Sequence, residues 1–365
     1  MNQRYHAVDA LRGLIMILMA IDHSSAFIAR QHASEFWAGA MSAYDSAFPF
    51  LTRLVTHLCA PGFFFLLGAG VYWSGAPRRA ALRGLAIFLI AQFLESPVMF
   101  LQGQLKPAAI SLNRITAPPP NDGTALYWGL ITLSGLGLVM MVCALLLRLP
   151  RWTWCVTAAL CVFATNSLLP ASGQPGPLWQ AILLAPGISQ HVVVVYPVLP
   201  WLAGAAAGMC FGHWWKTNPD LAEKRVWLLG AALLLAGMAL RATGGWGNIR
   251  LPREAGWIEF LNNVKYPPSL VFWLLAMGVN LLLLALLVRL PARSPLVVFG
   301  QTPLFFYLAH FYLLLAIAFA LFREAASLEM AYLVWVAVVA ALYPACVWYR
   351  NFRMSKPPES LWRLF

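Results

Sequence analysis

The stretch VDALRGLIMILMAIDHSSAFIA, residues 8–29, decides the fold. Its apolar run from Leu11 to Ile28 is close to the ~20 residues that an α-helix needs to cross the hydrocarbon of a bilayer. The run carries Asp22 and His23 and lacks a small-residue cleavage site, so it is expected to stay in place as a first span rather than be removed as a signal peptide. Arg12 and His23 stand eleven residues apart, almost three helical turns, so they share a face at a separation of roughly 16 Å. Arg12 then falls near one membrane surface and His23 beyond the midplane.

The rest of the chain reads the same way. Apolar residues make up 61% of the 365 and charged residues only 10%, against about 45–50% and 25% for a soluble domain. The expectation is an all-α, polytopic membrane bundle of about ten helices forming one domain over 1–365. Its spans fall near 10–29, 47–75, 84–102, 124–147, 153–169, 193–213, 226–242, 267–288, 296–322 and 331–349. Pro61, Gly62, Pro97, Pro200 and Pro303 interrupt some of them, as neighbouring helices in a membrane allow. With the N-terminus inside, 16 of the 25 Lys and Arg residues fall in inner segments, so both termini are expected in the cytoplasm. The formal charge of +12 is therefore a topology signal. No basic stripe interleaved with aromatics accompanies it, which argues against nucleic acid. The longer loops, 103–123, 170–192 and 243–266, are expected outside. No internal repeat is visible. The six cysteines lie in apolar runs without CxxC spacing and read as small fillers.

Charged side chains in hydrocarbon are expensive, so their default reading is functional. In the first span these are Asp9, Arg12, Asp22 and His23, although Arg12 can simply pair with Asp9 or snorkel to the surface. In the second, Arg53 and His57 stand at i, i+4 and face one way. Glu95 in the third span, with Tyr307 and His310 in the ninth, falls at a similar depth. A shared polar cavity accounts for these placements together; structural ion pairs, such as Arg53 with Asp22 or Glu95, are the alternative. By its direction on the helix Asp22 is better placed to orient Arg53 or His57 than His23. Lys265, in Lys-Tyr-Pro-Pro-Ser, sits on the outer rim as either a substrate contact or an interfacial anchor. His6, His32, His191 and His213 lie near surfaces. No HxxxH or Cys/His cluster points to a metal.

A buried His can accept a proton from a hydroxyl or amine, and an Arg near the inner mouth suits a phosphate-bearing donor. Together they fit transfer of an acyl group from a coenzyme A thioester to an acceptor on the far side. The segments beginning Arg4-Tyr-His-Ala-Val-Asp-Ala-Leu-Arg-Gly and ending Ile-Asp-His23, together with Thr-His-Leu-Cys-Ala-Pro-Gly-Phe-Phe-Phe-Leu-Leu-Gly (56–68), Asn-Val-Lys-Tyr-Pro-Pro-Ser (263–269) and Gly-Gln-Thr-Pro-Leu-Phe-Phe-Tyr-Leu-Ala-His (300–310), resemble the bacterial branch of the heparan-α-glucosaminide N-acetyltransferase catalytic-domain family. The Arg-to-His spacing also resembles the broader membrane acyltransferase superfamily. The resemblance implies a multi-pass enzyme of a bacterial inner membrane that uses acyl-CoA, acetyl-CoA foremost, as co-substrate and no metal. It implies His23 as catalytic base and Arg12 in donor handling; the shared cavity read from the residues adds Asp22 and His57 beside the base. Arg12, Arg53, Glu95, Lys265, Tyr307 and His310 would contact donor or acceptor. The lysosomal enzyme's catalytic His lies beyond the first span, nearest here to His32, so His32 stands beside His23 as candidate base. Expected partners are membrane lipids and a small-molecule or glycan acceptor, with a homodimer one assembly open to it and nucleic acid excluded. The rival reading is a proton-coupled transporter built on the same buried His, Asp, Glu and Arg residues.

Overall fold

The computed structural model describes residues 5–32, 35–38, 41–103, 105, 128–170, 176–189, 192–357, 360 and 362. In chain order the helices are α1 (His6–Ser24, extended by a π turn, Ser25–Ala29), α2 (Ala47–Thr56), α3 (Cys59–Ser74), α4 (Pro77–Ile90, extended by a π turn, Ala91–Glu95), α5 (Ser96–Gly103), α6 (Thr132–Leu146), α7 (Trp152–Ser167), α8 (Leu178–Leu183), α9 (Val198–Thr217), α10 (Pro219–Thr243), α11 (Trp257–Leu261), α12 (Leu270–Leu287), α13 (Pro295–Gln301), α14 (Pro303–Leu321) and α15 (Leu328–Met354). Helices thus fall on all ten apolar runs. Among the described residues, seven continuous helical segments are long and apolar enough to cross a membrane unaided. They are His6–Ala29, Ala47–Ser74, Pro77–Gly103, Pro219–Thr243, Leu270–Leu287, Pro303–Leu321 and Leu328–Met354. The chain is an all-α, multi-pass membrane bundle. A small three-stranded sheet accompanies it: β1 (Trp128–Leu130) runs parallel to β3 (Val192–Val194), and β2 (Gly187–Ser189) pairs antiparallel to β3.

The segment that opened the sequence is the centre of the bundle. The apolar window of His6–Ala29 is 72% buried, against 22% for Pro219–Thr243 and 28% for Leu328–Met354, which face outward. Lipid supplies no hydrophobic drive between helices, so close backbone approach does the work. Gly13 of α1 and Gly300 of α13 interlock: a Cβ on Gly13 would lie 1.9 Å from the Leu296 carbonyl oxygen, and one on Gly300 1.7 Å from that of Asp9. α3 and α9 pack alike, through Gly68 against Ala205 and Gly208 against Phe65.

Several boundaries differ from the sequence reading. α4 begins at Pro77 rather than near 84, and α10 at Pro219 rather than near 226. Hydropathy sees only the hydrocarbon part of a helix, whereas backbone hydrogen bonding continues through the polar interface. Arg79 and Arg83 are consequently helical. The run at 193–213 opens as strand β3 because Val192–Val194 are β-branched and Pro197 cannot continue a helix backwards. Residues 104 and 106–127, most of the Pro-rich loop, and His191 lie outside the described residues. The loop after α10 is tightly organised. The buried Arg241 donates to the carbonyls of Arg250, Glu259, Phe260 and Asn262 and to Oδ1 of Asn248.

Candidate functional site

Arg53 on α2 is the hub of a buried polar cluster. Its Nε and Nη2 donate to the two carboxylate oxygens of Glu35 at 2.8 and 2.5 Å, a bidentate pairing. Nη1 donates to Asp22 Oδ1 at 2.5 Å and to His32 Nε2 at 3.2 Å. His57, one turn along, directs Nε2 to Glu35 Oε1 at 2.5 Å. Burial pushes the Glu35 carboxyl up, but Arg53 and then His57 outweigh it and hold the group well below the ordinary carboxylate range. Two carboxylates therefore share one guanidinium, and imidazoles flank both.

Glu35 reaches this position from the loop between α1 and α2. The first π turn ends on Arg30, which takes the left-handed conformation at φ 54° and turns the chain back. The loop is then held from the far end of the sequence. Lys265 and Tyr266 both donate their backbone N–H to the Glu35 carbonyl at 3.1 Å, and Trp37 returns a bond to the Tyr266 carbonyl at 2.8 Å. Arg250 donates twice to the Trp37 carbonyl, at 3.0 and 2.7 Å, while Asn262 and Arg253 reach the Ser42 carbonyl.

His23 belongs to a second arrangement. Its Nδ1 lies 2.7 Å from Nε2 of His310, which is fully buried on α14. His310 Nδ1 lies 2.9 Å from the Phe306 carbonyl oxygen, an acceptor only, so that nitrogen carries the proton. In the neutral ring Nε2 then accepts, and His23 must donate through Nδ1. Nε2 of His23 is left as a bare lone pair with no partner among the described residues. His32 is wired oppositely: its Nε2 accepts from Arg53, so its proton sits on Nδ1. A third pair, Tyr307 and Glu95, forms a short hydrogen bond. Glu95, at the end of the second π turn, also accepts from the Leu133 N–H at 3.1 Å, in the first turn of α6.

Two cavities flank these groups. The first, about 470 Å³, is lined by Asp22, His23, Arg30, His32, Arg53, Lys265 and Tyr307 among others. The second, about 420 Å³, is lined by Arg12, Arg79, Arg83 and Arg353 together with apolar residues of α1, α3 and α6. Arg12 near the start of α1 and Arg353 near the end of α15 thus line one cavity, which places the start of α1 and the end of α15 on one side of the bundle. Arg12 also donates to Asp9 Oδ1 at 3.0 Å and to the Gly300 carbonyl at 3.1 Å, so it is both paired and on the cavity wall.

The polar groups expected at one depth do meet, in three linked sets rather than one. Asp22, His23, Arg53, Lys265 and Tyr307 line the first cavity, while His57, Glu95 and His310 stand behind its wall. Asp22 pairs with Arg53, as its direction on the helix implied. Glu35 was absent from the sequence reading. It sits in a polar loop without periodicity, and its one available signal was an acidic residue beside an aromatic pair, Phe36-Trp37. Arg79, Arg83 and Arg353 were read only as topology charges. Among the described residues no group of three or more His, Cys, Asp or Glu side chains is placed to hold a metal ion.

Residues 4–240, well over half of the chain, match the family model described as heparan-alpha-glucosaminide N-acetyltransferase, catalytic. No curated protein matches the chain.

Proposed function

The chain belongs to the heparan-α-glucosaminide N-acetyltransferase catalytic family, and on that premise we propose that it transfers an acyl group, acetyl foremost, from coenzyme A to a hydroxyl or amine of a sugar, with His23 as general base. The family implies a membrane acetyltransferase acting on glycans; donor, base and sidedness are our reading. The donor takes the arginine-lined cavity, where Arg12, Arg79, Arg83 and Arg353 suit its phosphates. On our reading that cavity faces the cytoplasm, the side the Lys and Arg bias favours, and the membrane is a bacterial inner membrane, as the resemblance implies. The acceptor takes the histidine-lined cavity on the opposite side.

The observation that carries the assignment of the base is the proton wiring of His23. With Nδ1 committed to His310, Nε2 presents a lone pair from a ring on the cavity wall. In the reaction the acceptor's proton passes to Nε2 as its oxygen or nitrogen attacks the thioester carbonyl. The carbon–sulfur bond breaks, and the proton follows to sulfur, which leaves as thiol. The imidazolium formed in between keeps its Nδ1–H bond to neutral His310, which makes His310 the positioning partner.

The test is transfer from acetyl-CoA to an amino-sugar acceptor by purified protein in liposomes. His23→Ala is expected to lower kcat by about 10²–10⁴-fold, the usual worth of a general base. Full transfer by that variant would remove His23 from the role. His32 is the second reading, favoured by its place on the wall of the same cavity and by the resemblance. It predicts the larger loss for His32→Ala. Flux driven by a pH gradient, without acyl transfer, would favour the transporter.

A further inference from the structure

Among the described residues three line both cavities: Phe63 on α3, Thr132 at the start of α6 and Tyr307 on α14. If donor and acceptor occupy opposite cavities, the acyl carbon must be exchanged at the septum these residues make. Two of them are fixed from behind. The Tyr307 hydroxyl is bound to Glu95, and Glu95 is itself bound to the N–H of Leu133, the residue after Thr132. One buried carboxylate therefore ties α14 to the first turn of α6 and fixes that side of the septum. Phe63 faces it from α3, half-buried and with no polar group to tether its ring.

We propose that Phe63 sets the length of acyl chain the protein accepts, working against the wall that the Glu95–Tyr307 pair holds rigid. This rests on the division of the two cavities between donor and acceptor. The chemistry is the thioester exchange already written, in which the acyl group leaves sulfur for the acceptor's oxygen or nitrogen and no other reactant takes part. A two-carbon acyl group passes beside the phenyl ring. A longer chain needs the volume the ring occupies, because the opposite side cannot yield without breaking the Tyr307–Glu95 bond.

The experiment measures kcat/KM for acetyl-, butyryl- and hexanoyl-CoA in liposomes for the wild type, Phe63→Ala, Phe63→Leu and Phe63→Trp. The quantity read is the hexanoyl-to-acetyl ratio within one preparation, which the fraction of folded protein cannot change. The wild type is expected to favour acetyl. Phe63→Ala is expected to raise the ratio at least tenfold, Phe63→Leu to raise it by less, and Phe63→Trp to lower it. A ratio within twofold of wild type in Phe63→Ala and Phe63→Leu, with acetyl transfer measurable, overturns the assignment of Phe63 and leaves the acyltransferase reading standing. Absence of transfer from every thioester by the wild type overturns both.

Discussion

Replacing Arg53 with Met keeps the length and apolar stem of the side chain while removing its charge. Arg53 and Glu35 are almost completely buried, their side chains 4% and 1% exposed, and Asp22 is at 13%. The substitution leaves two buried carboxylates with only imidazoles, His32 beside Asp22 and His57 beside Glu35, within ion-pairing distance among the described residues. Removing one partner of a buried pair costs about 3–5 kcal/mol. At ~2.1 cal/mol/K of unfolding entropy per residue, that cost lowers Tm by about 4–7 °C in a chain of 365 residues. Unfolding can be followed in detergent with a thiol-reactive fluorophore, since Cys59, Cys143, Cys161 and Cys346 are buried. The triple variant Arg53→Met, Asp22→Asn, Glu35→Gln carries no stranded charge and should regain at least half of the lost Tm. It should still transfer acyl groups poorly, because the cluster no longer holds the loop and His32 against the cavity. A Tm for Arg53→Met within 1 °C of wild type, or a triple variant less stable than the single, would refute the view that this cluster is a tightly coupled set of charges.

Glu35 makes a prediction in pH. Its folded-state pKa is depressed, so the stability it contributes is fully present above the ordinary carboxylate pKa of ~4.3 and is lost as pH falls below that value. Thermal unfolding at pH 7 and pH 3, inside the window between the ordinary and the depressed pKa, should therefore show a smaller acid loss in Glu35→Gln than in wild type, and equal losses would contradict the pairing. Arg83→Gln, in the arginine-lined cavity, should raise KM for acetyl-CoA severalfold with little change in kcat, since it removes a contact to the unreactive end of the donor. An unchanged KM would take Arg83 out of the donor site. Gly300→Val should destabilise by about 1–3 kcal/mol through overpacking, because its Cβ would meet the Asp9 carbonyl oxygen. Unaltered thermal unfolding would show that α1 and α13 can part.

Composition and run length were enough to place the helices, because burial in lipid is a property of the segment itself. Local spacing was enough for Arg53 with His57 and for Asp9 with Arg12, both within one or two turns. Arg53 with Asp22 was one of the pairings that depth and direction left open; the other, Arg53 with Glu95, is not formed, since Glu95 is bound to Tyr307 and the Leu133 N–H. What escaped the sequence depends on contacts between distant segments. Glu35 is held by the backbone of Lys265 and Tyr266, some 230 residues away, and no pattern around position 35 encodes that. Wall and backing could not be told apart either. His23 and His310 carry the same chemistry, and only the Phe306 carbonyl decides which of the two presents a free nitrogen.

The two π turns explain why the site needed departures from regular helix. Inserting one residue into an α-helix turns everything beyond it by about 100°, and such insertions gather at functional sites. The turn at Ser25–Ala29 ends the first helix on Arg30 in the left-handed region. From there the chain doubles back, so that His32 reaches Asp22 and Glu35 reaches Arg53. The turn at Ala91–Glu95 aims Glu95 inward at Tyr307 and Leu133, while Phe93 in the same turn faces outward at 69% exposure. A regular helix through either segment would send these side chains elsewhere. Both walls of the histidine-lined cavity thus depend on a locally weaker helix, and this is the step that hydrophobic periodicity, which assumes an unbroken 3.6-residue turn, cannot anticipate.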